Sequence, residues 1–181
     1  MRVPCGPRAR LERDIVARRA GSLLNYAELS RSLGIQQTTL KRYFALLEAT
    51  FLVQPLAPWS GNIGNRAIRT PKVYINDTGL LAHLLGLTPE RLEIDPTLAG
   101  GILENFVLME LRKQSAWNQT PVQFFVWCTA SGQEVDIVME DRARAAGKRW
   151  IRGVALYTGT EVIPFGPHLH GVPISHLWAP D

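Results

Sequence analysis

Two carboxylates lie on one face of a predicted strand. The segment GQEVDIVME, residues 132–140, alternates polar and apolar residues as a half-buried strand does, which places Glu134 and Asp136 on the same face. Carboxylate oxygens are the ligands that hard cations such as Mg²⁺ prefer. In a metal-dependent nuclease, a second strand adds Glu-x-Lys, whose lysine steadies the charge on the attacked phosphate. After Asp136 the chain has one lysine, Lys148, with no acid two residues before it, so the sequence predicts half of a nuclease-like site.

A third acid, Glu104, falls on a predicted helix that spans residues 101–116. Leucine and aromatic spacing on this helix predicts a buried stripe, which Glu104 flanks: Leu103, Phe106, Val107 and Leu111. An acid in this position is either a half-exposed residue that suits the positive end of the helix dipole or a ligand directed into a site. The residues alone leave both interpretations open.

The elements before residue 76 predict a winged helix-turn-helix. A short helix, Tyr26–Leu33, ends at Gly34, and a second helix runs from Gln36 to Ala49. The second helix has one apolar stripe, which predicts its buried face: Leu40, Tyr43, Phe44 and Leu47. Residues 51–56 and 72–75 then read as the two strands of a wing, joined by the polar loop SGNIGNRAIRT.

The outer face of the second helix is the candidate DNA-binding surface. In a winged helix this helix enters the major groove, so Thr38, Lys41 and Arg42 are expected to contact bases or phosphates of double-stranded DNA. Arg66 and Arg69, on the wing loop, are expected to contact the DNA backbone. Winged helices also dock onto proteins, and a basic helix face can be merely solvated, so the residues do not choose among these roles.

Charge divides the chain into two parts. Residues 1–73 hold twelve Lys or Arg against four acids, a net charge of +8, whereas residues 74–181 hold eight against twelve, a net charge of −4. A basic, arginine-rich half suits phosphate recognition.

No apolar run approaches the roughly 20 residues that span a bilayer, and the start MRVPCGPRAR does not resemble a secretory signal. Cys5 and Cys128 have no short spacing, so we expect a reduced, cytoplasmic protein without membrane contact.

The remaining segments complete an α+β organisation. Residues 1–10 are predicted as a flexible leader, and a helix over 11–20 opens the winged-helix region, residues 11–76. An apolar helix, residues 77–86, and a polar linker, residues 88–100, follow and form the predicted segment 77–100. A small α/β domain is predicted over 101–181. Its elements beyond the helix are predicted at 122–128, 133–140, a short basic helix at 142–148, a buried strand at 153–158, and strands at 161–165 and 172–178.

Several of these segments, taken in order, resemble one prokaryotic family. LLNYAELSRSLGIQQTTLKRYFALLEATFLVQPLAPW, IRTPKVYINDTGLLAHLLGL, GGILENFVLMELRKQ, EVDIVME and RGVALYTG are similar to the C-terminal region of AAA-type ATP-binding proteins. In that family an ATPase domain precedes a winged helix and a domain of unknown function that resembles the PD-(D/E)XK nuclease fold. The resemblance implies that Glu104 is the first-helix acid of a nuclease-like site and that Asp136 is its metal-binding aspartate.

The chain departs from the family in two places. It contains no Gly-x-x-x-x-Gly-Lys-Ser/Thr loop, so ATP binding is not predicted for this polypeptide. The family also places a Glu-x-Lys strand after the strand of Asp136, and here VMED passes almost directly into RARAAGKRW. A central strand that is lost leaves backbone groups unpaired, so GVALYT is expected either to pair with EVDIVM or to leave the shortened domain marginally stable.

Three functions follow from these observations. The first is a non-catalytic module that binds DNA or a partner, backed by a degenerate nuclease-like domain. The second is a Mg²⁺-dependent nuclease that uses Glu104, Glu134 and Asp136. The third is a regulatory or remnant fragment that associates with a full-length AAA-type ATPase relative. Because the Glu-x-Lys strand and the ATP-binding loop are both absent from the sequence, we expect no enzymatic activity, no catalytic residue and no cofactor, with Mg²⁺ required only if the nuclease-like site is active.

Overall fold

The computed structural model describes residues 19–60, 70–119, 121–128, 134–141, 153–157, 159–167 and 169–178. Several predictions fall outside these residues and stay predictions. They are the leader and most of the first helix, the wing loop with Arg66 and Arg69, and the basic helix at 142–148. The described chain is a mixed α+β protein with small sheets, which agrees with the predicted class at that level.

Five α-helices and eight strands occur in the described residues. The first part contains β1 (Ser22–Leu23), α1 (Tyr26–Leu33), α2 (Gln37–Ala49), β2 (Val53–Leu56), β3 (Lys72–Ile75) and α3 (Thr78–Leu85). The second contains α4 (Pro89–Ile94), α5 (Pro96–Trp117), β4 (Val122–Cys128), β5 (Glu134–Asp141), β6 (Gly153–Tyr157), β7 (Ile163–Gly166), β8 (Leu169–Pro173) and a 3₁₀ helix (Ile174–Trp178).

The first sheet has the order β1-β3-β2, and both pairings are antiparallel. Its central strand β3 follows α1 and α2 in the chain. The turn between these two helices is short because Gly34 adopts the left-handed conformation, with φ of +65°. Glycine adopts this conformation without steric cost, so it ends α1 and lets the chain enter α2 after a short turn. The two helices and the β2–β3 pair therefore form where the sequence predicts them.

Helix α2 buries a narrower stripe than the sequence predicts. Leu40 and Phe44 are buried and Leu47 is half-buried, but Tyr43 is 49% exposed. The rings of Phe44 and Tyr26 pack edge to face, with their centroids 5.6 Å apart and their planes at 90°. This contact from α1 closes one flank of the stripe. The prediction that Tyr43 is buried was wrong because α1 covers only part of the apolar arc of α2.

The segment predicted as a linker is helical. Thr88 caps α4 through its side chain, Pro89 stands in the first turn of α4, and α5 begins at Pro96. Proline suits the first turn of a helix, where its missing N–H would have no intrahelical partner. The two prolines that suggested a linker therefore mark two helix starts.

Helix α5 also buries other residues than those predicted. Val107 is buried as expected, and Leu108 and Met109 are buried beside it, whereas Leu103 is 37% exposed. The buried residues form two clusters with different partners. One is built from α1, α2, α3 and the first sheet, and the other joins Leu108 and Met109 to Leu56, Tyr74 and Val126. Strand β3 contributes to both clusters, since Val73 and Ile75 lie in the first cluster and Tyr74 in the second.

The later strands form two further sheets. β4 pairs with β5, whereas β6 pairs in parallel with β8, which is antiparallel to β7. GVALYT, the segment of β6, therefore does not pair with the strand of Asp136 in the described residues. Its burial was also predicted wrongly, because Val154 is 52% exposed. The last predicted strand, 172–178, ends at Pro173 and continues as the 3₁₀ helix.

Two compact units divide the described residues. One comprises the chain up to Met109 together with Phe124–Met139, and the other comprises Glu110–Gln123 together with the chain from Glu140 onward. The first unit therefore contains the first sheet, α1 to α4, most of α5 and most of β5. Among the described helices, none combines the length and the apolar character that crossing a membrane requires.

Candidate functional site

A lysine and three carboxylates meet in the first unit. The Nζ atom of Lys72 lies 3.1 Å from Oε1 of Glu104 and 3.2 Å from Oδ1 of Asp136, and it also pairs with Glu134. Strand β3 supplies the lysine, α5 supplies Glu104, and β5 supplies the other two acids. We call these four residues the Lys72 cluster. The structure thus brings together the three acids that the sequence singled out, around a lysine that it did not.

Burial decides the character of the Lys72 cluster. The Lys72 side chain is 7% exposed and that of Glu104 is 20% exposed, whereas Glu134 and Asp136 are 43% and 57% exposed. All four residues of β3 are buried, because this strand is central in its sheet and packs against a hydrophobic cluster on each of its two faces. A lysine in such a strand is tolerated only when counter-charges accompany it. The acids on α5 and β5 supply them.

Tyr74 extends the cluster on the same face of β3. Its hydroxyl donates a hydrogen bond to Oε1 of Glu104 at 2.5 Å, and its side chain is fully buried. Residues two apart on a strand share a face, so Lys72 and Tyr74 both reach the same carboxylate. Gly21, with φ of +77°, lies close to Glu104: a Cβ at this position would lie 3.5 Å from the carboxylate.

Asn105, the neighbour of Glu104, ties α5 to the sheet. Its amide accepts a hydrogen bond from the N–H of Ile75 and donates to the carbonyl of Ile75, both at 2.9 Å. It also donates to the hydroxyl of Thr78 at 3.0 Å, and the side chain is fully buried. These bonds fix where α5 lies relative to β3, and they thereby position Glu104 beside Lys72.

The pKa values in the cluster follow from burial and from the unequal number of charges. Burial lowers the pKa of Lys72, but its interactions with Glu134, Glu104 and Asp136 raise that pKa by more, so it lies above its ordinary value. Burial raises the pKa of Glu104, because the hydrogen bond from Tyr74 and an ammonium shared among three carboxylates do not offset the lost hydration. Burial and the Glu104 charge also raise the pKa of Tyr74, so its hydroxyl stays protonated and donates.

We expect Glu104→Gln to change the pH dependence of stability. The pKa of Glu104 is raised above its ordinary value of 4.5, so the folded state binds this proton more tightly than the unfolded state. The Glu104 contribution to stability is therefore largest below pH 4.5 and falls as the pH rises through the raised pKa. The wild type should lose stability relative to Glu104→Gln as the pH rises from 4.5 through the raised pKa of Glu104, as measured by urea unfolding over a pH series. A wild-type free energy of unfolding that rises relative to that of Glu104→Gln over this range would contradict the prediction.

The Lys72 cluster does not fit the Mg²⁺ that the family resemblance implies. Within the described ranges, no group of three or more His, Cys, Asp or Glu side chains is arranged to hold a metal ion. The three carboxylates converge on the Lys72 ammonium, which takes the space an ion would need. The lysine also does not restore the Glu-x-Lys pattern, because residue 70, two before it, is Thr70.

The sequence contained a signal for Lys72 that the strand prediction overlooked. KVYI was predicted as a plain wing strand, yet it places a lysine and a tyrosine on one face of a short, otherwise apolar segment. A charge in a strand of that kind needs a partner when the strand is central. Its partners Glu104 and Asp136 are 32 and 64 residues away in the chain. The local pattern therefore indicates that Lys72 needs an acidic partner but does not identify that partner.

The predicted DNA-contacting residues of α2 lie on an exposed face. Thr38, Lys41 and Arg42 are all exposed, and the first turn of α2 holds no acid. The Lys41 ammonium lies over the ring of Tyr26, 5.7 Å from its centroid, which restrains the side chain on the surface of α1.

Two family models match the chain, one in each half. Residues 9–91 match a Domain of unknown function (DUF8612), and residues 99–151 match a Domain of unknown function (DUF4143). The first match contains α2 and Lys72, and the second contains the three acids of the Lys72 cluster. The cluster is therefore assembled from both matched regions.

Two mycobacterial proteins are similar to a large part of the chain. An uncharacterised protein of Mycobacterium tuberculosis (strain H37Rv) and one of Mycobacterium bovis are each 42% identical to it over 128 residues. This alignment covers 70% of the chain and 28% of each relative, so the chain matches less than a third of the length of these relatives. No solved structure matches the chain significantly.

Proposed function

We propose that this chain is a non-catalytic, winged-helix DNA-binding module, similar to the C-terminal region of AAA-type ATP-binding proteins. The observation that carries the proposal is the exposed polar face of α2, where Thr38, Lys41 and Arg42 lie side by side. Positions i, i+3 and i+4 of a helix point the same way, so all three side chains reach one groove of a duplex together.

The arrangement around α2 supports docking into a major groove. Helix α1 packs on α2 through Tyr26 and Phe44, and the β2–β3 pair follows α2 in the chain. The absence of an acid from the first turn of α2 keeps the positive end of the helix dipole available to phosphates. The net charge of +8 over residues 1–73 adds a long-range attraction for nucleic acid.

The Lys72 cluster supports the non-catalytic part of the proposal. A nuclease of the predicted type needs its acids free to bind a cation and its lysine free to contact phosphate. Here the lysine is bound to the acids, and its side chain is 7% exposed. Purified protein should therefore leave duplex DNA uncleaved in Mg²⁺ and in Mn²⁺, and cleavage that Asp136→Ala abolishes would contradict the proposal.

We expect Lys41→Gln and Arg42→Gln to weaken DNA binding together with its salt dependence. Each basic residue that contacts a phosphate releases counterions, so each substitution should reduce the slope of log K against log salt by about 1. The double variant should reduce the slope by roughly 2. Fluorescence anisotropy of a labelled duplex, measured over a salt series, gives both the affinity and the slope.

A matched control separates the face of α2 from net charge. Lys113→Gln removes the same charge from an exposed lysine outside α2, one that pairs with Glu110 at 2.6 Å. It should leave the salt slope unchanged. Equal losses in Lys113→Gln and Lys41→Gln, or wild-type binding with no salt slope, would show that α2 does not bind DNA specifically through these residues.

A second candidate function is association with a full-length ATPase relative through the end of α2. Leu46 is 62% exposed and Phe51 is 79% exposed, next to the half-exposed Tyr43 and Leu52. Phe51 also has φ of +57°, a conformation that costs energy in a bulky residue and is concentrated at functional sites. Apolar side chains gathered in this way suit a protein surface better than phosphates.

Co-purification from the native host tests the second candidate. The wild type should retain an ATPase relative, and Leu46→Ser combined with Phe51→Ser should release it while DNA binding persists. Retention of the same ATPase by this double variant, or no ATPase with the wild type, would remove the candidate.

A further inference from the structure

We propose that the Lys72 ammonium is the resident cation of the Lys72 cluster, and that divalent cations bind these carboxylates only when the lysine is removed. The inference deepens the non-catalytic part of the proposed function. It does not depend on DNA binding by α2, which is measured separately by anisotropy.

The stoichiometry of the cluster favours this role. An ammonium group has three N–H donors and no acceptor, and three carboxylates surround the Lys72 Nζ, at 3.1 Å for Glu104, 3.2 Å for Asp136, and in contact for Glu134. Each donor therefore has a carboxylate to bind. The acids come from α5 and β5, so a single nitrogen atom joins three elements as a bound metal ion does.

A divalent cation and the ammonium cannot share this place. Ca²⁺ lies 2.3–2.6 Å from its oxygen ligands and Mg²⁺ lies closer, so an ion bound to these carboxylates would overlap the Lys72 nitrogen. Lys72 would have to withdraw from all three acids, although its side chain is 7% exposed and extends from the central strand of a sheet. Withdrawal would leave a charge buried without partners, which is strongly unfavourable.

Charge alone favours the ion over the lysine. Three ionised carboxylates and one ammonium leave two negative charges in excess, and a divalent ion would leave one. The lysine excludes the ion because it is covalently attached to β3 and pays no cost of binding from solution. Removal of the Lys72 side chain should therefore free the three acids to rearrange around a cation.

Thermal unfolding in EDTA and in Ca²⁺ at constant ionic strength tests the proposal. The wild-type transition should move by less than about 1 °C up to millimolar Ca²⁺. Lys72→Ala should unfold at a lower temperature than the wild type in EDTA, and Ca²⁺ at about tenfold excess over its dissociation constant should raise this temperature by roughly 3–6 °C. Asp136→Asn, added to Lys72→Ala, should remove the response to Ca²⁺.

Each outcome decides the proposal. A wild-type transition that rises with Ca²⁺, and no longer does so in Asp136→Asn, would overturn it, as would a folded Lys72→Ala protein that ignores Ca²⁺. If Lys72→Ala does not fold in EDTA, the titration becomes a refolding experiment: recovery in Ca²⁺ supports the proposal, and no recovery contradicts it. Lys113→Ala is the matched control, because it removes an exposed lysine that pairs with one acid, and it should show no response to Ca²⁺.

Discussion

Replacement of Lys72 by methionine should lower the free energy of unfolding by about 3 kcal/mol. Methionine keeps most of the length and apolar volume of the side chain, so the loss comes from the charge. Without the ammonium, Glu104 is left 20% exposed beside two further carboxylates. Breaking a buried pair costs about 3–5 kcal/mol, and the exposure of Glu134 and Asp136 places this case at the lower end. Urea unfolding near pH 7 measures it.

The pH of this measurement matters because the carboxylates raise the pKa of Lys72 above its ordinary value of 10.5. A raised pKa means that the folded state holds the proton more tightly than the unfolded state. The contribution of Lys72 is then fully present below pH 10.5 and is lost only as the pH rises through the higher folded pKa. Urea unfolding near pH 7 therefore measures the full contribution of Lys72 to the free energy of unfolding.

Lys113→Met is the matched control for the loss of a lysine. Lys113 is 57% exposed and pairs with Glu110 three residues earlier on α5, and exposed pairs of this kind contribute about 0.5 kcal/mol or less. The Lys72 variant should thus lose several times more stability than the control. Equal losses would mean that the Lys72 cluster behaves as a surface ion pair and does not hold β3, α5 and β5 together.

Replacement of Asn105 by alanine should also cost about 3 kcal/mol. At one edge of β3, the N–H of Gly21 donates a hydrogen bond to the carbonyl of Val73. Two residues further along β3, at the same edge, the side-chain amide of Asn105 bonds to both backbone groups of Ile75. Asn105 therefore continues the hydrogen-bond ladder where β1 has ended. Alanine leaves an N–H and a carbonyl buried without partners, and each costs about 1–3 kcal/mol.

Two further variants separate hydrogen bonding from packing at Asn105. Asn105→Asp has almost the same shape, accepts from Ile75 N–H, and cannot donate to the Ile75 carbonyl, so it should be at least as unstable as Asn105→Ala. Asn76→Ala removes a more accessible amide that donates to the carbonyl of Phe51 at 2.7 Å, and it should cost about 1 kcal/mol or less. A stable Asn105→Asp protein would show that the amide acts by filling space.

The segments whose structure is decided within a few residues were predicted well. Asp77 accepts a hydrogen bond from the N–H of Leu80 and caps α3, and Gly34 and Gly86 adopt left-handed conformations at helix ends. Such caps depend on residues three or four apart, so the sequence contains the whole interaction. Burial was predicted less well, because Tyr43 and Leu103 belong to apolar stripes that no neighbour covers completely.

The sequence by itself determined most of the helices and strands, although not α4 or the 3₁₀ helix, and it determined the shared face of Glu134 and Asp136, because side-chain periodicity and capping are local properties of the chain. Only the tertiary structure decided that Lys72 lies among those acids and Glu104, and that Asn105 completes the ladder of β3. These contacts join residues that are 30 to 64 positions apart in the chain. The energy of a buried charge or amide depends on which groups surround it after packing, and no pattern within one segment of the chain contains that information.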